Sequence, residues 1–87
     1  MTKGPSVPPT LIYDHSSDAE EQLWDRLHER LQLSPELRVI VHLRSGKALV
    51  GQLRYYDNFH LTLAAGGQLH DVLYRDVAHI LQVSGAR

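Results

Sequence analysis

The stretch VIVHLRSGKALVGQLRYYDNFHL, Val39 to Leu61, carries the reading of the chain. Leu37, Val39, Val41 and Leu43 alternate with Arg38, Ile40, His42 and Arg44. A period of two predicts a strand with one buried face. Ser45-Gly46 follows, and glycine supplies the positive φ of a tight hairpin turn. A second strand is predicted from Lys47 to about Tyr56, with Leu49, Gly51, Leu53 and Tyr55 facing inward. A glycine in that inward series marks a bend, because it weakens a strand unless the backbone must curve or pack closely. Asp57-Asn58 turns the chain, and Phe59, Leu61 and Leu63 form a third inward series.

Working outward, Ala65-Gly66-Gly67 is a turn, and Gln68 to Tyr74 and Val77 to Val83 read as two more strands broken at Arg75-Asp76. Five short strands predict a small, strongly bent antiparallel barrel over 37–83. Upstream, Ser17-Asp18-Ala19-Glu20 fits a capping box, and Leu23, Trp24, Leu27 and Leu31 form an apolar stripe at helical spacing. The expectation is an N-terminal helix over 17–32 that covers the barrel, with Trp24 packed into the core. Pro5, Pro8 and Pro9 predict a mobile arm over 1–16, in which only Leu11, Ile12 and Tyr13 are suited to docking as a short strand. The domain then runs over 17–84, and 85–87 form a tail.

Length allows one domain, and so short a chain gains stability from oligomerisation. There is no cysteine, hence no disulfide framework or thiolate metal site. The six histidines, His15, His28, His42, His60, His70 and His79, include no HxxH or HxxxH pair. The reading is therefore no metal and no cofactor. No apolar run reaches the ~18 residues of a membrane span, and the prolines break up any signal-peptide pattern. A cytoplasmic protein without membrane contact is expected. No nucleophile–base signature or phosphate loop is present, so no enzyme is expected.

The pattern at Val39, Val41, Leu43, Gly46, Leu49, Gly51, Leu53, Asp57 and Phe59 resembles the first Sm motif, and Val72 to Ile80 (VLYRDVAHI) the second. Within that superfamily the chain is most similar to the bacterial Hfq branch. The residues that carry this are Gln52 after the motif glycine, the Tyr56-Asp57-Asn58-Phe59 turn, Leu61, and the Tyr74-Arg75 pair. The resemblance covers about half the chain. It implies a homo-oligomeric ring of roughly six or seven subunits, a hexamer first, in which the fourth barrel strand of one chain pairs with the fifth of the next. It also implies binding of single-stranded, uridine-rich RNA near the pore.

Carried over residue by residue, the pore-face RNA contacts are Phe59, Tyr74, Arg75 and Asp76. Asp76 stands where Hfq usually has histidine. On the opposite face, His42 and Lys47 occupy positions used for adenine-rich RNA. From the residues themselves, Phe59 is either core filling or a stacking platform. Tyr74 can instead seal a subunit contact, and Arg75 can pair with Asp57 or Asp76.

Charge leaves a second function open. The barrel carries Arg38, Arg44, Lys47, Arg54 and Arg75 against Asp57, Asp71 and Asp76. The segment before it is acidic, with Asp14, Asp18, Glu20, Glu21, Asp25, Glu29 and Glu36 against Lys3, Arg26 and Arg30. A basic barrel favours RNA, especially if a ring multiplies its charges. The acidic segment favours a protein partner, and with it an oligomeric scaffold that binds little RNA.

Overall fold

The computed structural model describes residues 9–83. Residues 1–8 of the predicted arm over 1–16, and the predicted tail over 85–87, lie outside them. The elements are β1 (Thr10–Asp14), α1 (Gln22–Leu33), β2 (Arg38–Leu43), β3 (Ala48–Tyr56), β4 (His60–Ala65), β5 (Gln68–Leu73), a single 3-10 turn (Tyr74–Asp76) and β6 (Val77–Gln82). The fold is mainly β, with one helix and a six-stranded antiparallel sheet in the order β1-β6-β2-β3-β4-β5. No helix among the described residues is long and apolar enough to cross a membrane.

The period-two reading of β2 holds. Leu37, Val39 and Val41 are buried and Leu43 packs against the core at its edge. In β3 the inward series survives only to Leu53. The register against β4 shifts between Leu53 and Tyr55, so the alternation changes phase there. Tyr55 turns outward at 61 % exposure and Tyr56 packs toward the core in its place. Gly51 is the point of closest approach between β3 and β4. A Cβ there would lie 2.3 Å from the Ala64 carbonyl oxygen. The glycine was expected at a bend; the physical constraint on it is this contact with neighbouring backbone.

Three expectations at the start of the chain are corrected. The domain opens on a strand rather than a helix, and residues 10–14 are not a mobile arm. β1 pairs with β6, and its Ile12 and Tyr13 are among the most buried residues of the core. Burial of two such side chains, at about 1.5–3 kcal/mol each, offsets a large part of the ordering entropy of a five-residue strand, and the ladder to β6 adds to it. The helix begins at Gln22 rather than Ser17, and no side chain caps its first turn. Asp14 and Asp18 draw 14–18 into a turn of their own. The Asp14 carboxylate accepts from the Ser16 amide and hydroxyl, and its carbonyl accepts from the Ser17 and Asp18 amides. The residues that resembled a capping box are thus already committed. The sheet accordingly has six strands where five were expected.

The apolar stripe of α1 behaves as its spacing predicts. Leu23 and Leu27 are fully buried and Leu31 packs beside them. Trp24 is half-buried at the margin of this contact rather than inside it. It stacks on His28 at 4.6 Å between ring centres and meets Tyr56 at 5.7 Å. The Tyr56 hydroxyl lies 2.7 Å from His28 Nδ1. This aromatic group fastens the helix to the end of β3.

Candidate nucleic-acid interface

The turn between β3 and β4 is built by Asp57. Its carboxylate accepts from the amides of Phe59 at 2.7 Å and His60 at 2.8 Å. The Asp57 amide donates to the His60 carbonyl at 2.9 Å, closing the turn. Those two amides, with the His60 ring 3.0 Å away, hold the Asp57 carboxyl below the usual carboxylate range. β4 therefore starts one residue after Phe59, and the inward alternation does not reach the phenylalanine. Phe59 stands at 72 % exposure, which excludes core filling.

Tyr74 holds the same turn from behind. Its amide donates to the Phe59 carbonyl at 2.8 Å and its hydroxyl to the Asp57 carbonyl. Its ring is 1 % exposed. Burial, with the Asp57 charge nearby, pushes the Tyr74 phenol well above its ordinary value. A phenol so placed stays neutral and donates. Tyr74 is thus a support for the Phe59 turn, and its ring offers no face to a nucleobase.

Arg75 and Asp76 follow in the 3-10 turn, and both are exposed. Neither of the pairings open to Arg75, with Asp57 or with Asp76, forms among the described residues. The structure therefore joins Tyr74 to the Phe59 turn, whereas Asp76 lines a separate groove with Leu43, Leu49, Leu69 and Leu73. The Asp76 carbonyl accepts from the Arg44 amide at 2.9 Å. Arg44, exposed in the β2–β3 turn, is a cationic neighbour that the sequence motifs did not single out.

Two acidic neighbours were missed as well. Glu20 and Glu21, from the turn before α1, line a shallow cavity of about 280 Å³ with Asn58 and Phe59. They are distant in sequence from the Sm-like motif, and only the path of the chain after β1 sets them beside it. An exposed aromatic rimmed by carboxylates takes a planar or cationic group more readily than a bare phosphate.

His42 and Lys47 are not part of this arrangement. His42 stacks on His79 at 4.3 Å between ring centres, across the β2–β6 pair. Lys47 is exposed at the end of the β2–β3 turn, where its carbonyl accepts from the Leu43 amide. Among the described residues no group of three or more histidine, aspartate or glutamate side chains is placed to hold a metal ion. No family model matches the chain, and no curated protein is similar enough to it to count as a match.

Proposed function

We propose that the chain is an Sm-like protein, nearest in kind to Hfq, that binds single-stranded, uridine-rich RNA in the cytoplasm and has no catalytic role. In this reading β2 to β6 are the strongly bent five-stranded Sm-like unit, and β1 is an addition to it. The observation that carries the reading is Phe59: a phenylalanine at 72 % exposure on a turn pinned by the Asp57 carboxylate and by Tyr74. A rigid, solvent-facing ring is what base stacking uses. Arg75 supplies a planar set of donors for a base edge or phosphate, and Asp76 beside it is a brake. In a ring of roughly six or seven subunits each such contact would be repeated around one axis. That ring would need the outer edge of β6, which β1 occupies.

The test is fluorescence anisotropy with a short uridine-rich RNA across a salt series. Arg75→Ala should weaken binding and flatten its salt dependence by about one phosphate contact per subunit. Asp76→His should strengthen it.

A second reading is favoured by Glu20 and Glu21 beside Phe59. On this reading the surface takes a basic segment of a protein partner, and the chain is an interaction module or scaffold. A parent protein that ignores RNA at low salt, with Asp76→His equally inert, selects this reading.

A further inference from the structure

The cavity beside Phe59 has two walls of different chemistry. One is the β3–β4 turn, with Asn58 and the exposed ring of Phe59. The other is Glu20-Glu21, in the turn that leads into α1. Both turns are pinned. The first is held by the Asp57 carboxylate and Tyr74. In the second, the Ala19 amide donates to Gln22 Oε1 at 3.0 Å. The Ala19 and Glu20 carbonyls accept from the Gln22 and Leu23 amides at 2.9 and 3.1 Å. Leu23 is fully buried and anchors this wall to the core. Two carboxylates are thus set at a fixed place beside a fixed aromatic ring. At about 280 Å³ the cavity is at the small end of ligand pockets, room for one nucleoside rather than a run of bases.

An ionised carboxylate only accepts hydrogen bonds. A nucleotide stacked on Phe59 offers it three kinds of group. The phosphates carry no donor and are repelled, so the strand lies with them turned away from Glu20 and Glu21. Uracil has one donor, N3–H, set between two carbonyl oxygens, and a carboxylate that approaches it meets both. The ribose 2′-hydroxyl is a neutral donor that rotates to suit its acceptor. The Asn58 side-chain amide supplies the donor that a uracil carbonyl needs.

We propose that Glu20 and Glu21 make the Phe59 pocket selective for ribose over deoxyribose, by accepting the hydrogen bond of the 2′-hydroxyl of the stacked nucleotide. The proposal rests on the RNA reading of the Phe59 turn, and it gives the two acidic side chains a place in that reading. Their charge lowers affinity for every polyanion, while their acceptor oxygens favour the polyanion that carries 2′-hydroxyls.

Fluorescence anisotropy at low salt tests it with the full chain and three short probes of one sequence. These are a uridine-rich RNA, its deoxyuridine counterpart and its 2′-O-methyl counterpart, which keeps the sugar oxygen but cannot donate. The parent should bind the RNA roughly tenfold or more tightly than either of the others, the worth of one hydrogen bond to a charged acceptor. Combining Glu20→Ala with Glu21→Ala, checked by circular dichroism for retained fold, should tighten binding of all three and bring them to near-equal affinity. Combining Glu20→Gln with Glu21→Gln removes the charge and keeps an acceptor, so it should tighten binding and retain part of the preference. A parent that binds the RNA without preferring it, or an Ala variant that keeps the parent's preference, would overturn the proposal and leave the RNA reading standing. A parent that binds none of the three probes, but does bind a labelled arginine-rich peptide, would overturn both and give the pocket to a protein partner.

Discussion

At the scale of single residues, the Phe59 turn depends on two partners whose effects separate by pH. The Asp57 carboxylate is held below its ordinary value of 3.8 by the amides of Phe59 and His60 and by the His60 ring. A carboxyl with a depressed folded value contributes in full above its unfolded value, and the contribution disappears as pH falls through the folded one. The turn should therefore loosen below about pH 4, at or under the ordinary carboxylate range. Amide exchange at Phe59 and His60 should accelerate there, and Asp57→Ala should already show the fast exchange at neutral pH. Unchanged exchange in that variant would mean that the ladder alone holds the turn. Tyr74 acts through a neutral hydroxyl, so its effect does not titrate in this range. Tyr74→Phe should cost about 1 kcal/mol, the net worth of one hydrogen bond. For a chain of this size that lowers the melting temperature by roughly 4–8 °C, with Phe59 less ordered.

At the scale of elements, Gly51 governs how closely β3 and β4 approach. A Cβ at 2.3 Å from the Ala64 carbonyl oxygen meets backbone, which cannot move aside as a flexible side chain can. Gly51→Ala should cost at least about 1–3 kcal/mol, and the larger Gly51→Val should abolish the cooperative melt. A Val variant with the parent's melting temperature would show that the two strands separate there without loss. The strands from Arg38 onward were legible because period-two alternation survives wherever one face is buried. It failed at Tyr55, where a bulge changes the phase, and at Phe59, where the turn runs one residue longer than the apolar pattern. β1 was obscured by the prolines before it, Pro5, Pro8 and Pro9, and by its length: Leu11, Ile12 and Tyr13 are too few for a period to declare itself. Its pairing with β6 is a long-range contact that no local pattern encodes. The helix start was misread because the Ser17–Glu20 signature says nothing of Asp14, which takes the nearby amides first.

At the scale of the whole molecule, the candidate site was half legible. Arg75 and Asp76 are both exposed. The motif cannot tell that Tyr74 turns into the core, nor that Glu20 and Glu21 arrive beside Phe59. These features bear on the choice between the two proposed partners, RNA and protein. A single chain with few exposed cations holds phosphate weakly, so in the proposed reading stacking on Phe59 has to carry much of any affinity. Because Phe59 lies outside the core, Phe59→Ala should leave stability within about 0.5 kcal/mol of the parent. It is therefore a clean probe of function. The most direct measurement is anisotropy of a short uridine-rich RNA at low salt, parent against Phe59→Ala. The account predicts binding by the parent, weakened in the variant by about 1–3 kcal/mol, the worth of one stacked base. Equal binding by both proteins, or none by the parent, would contradict it.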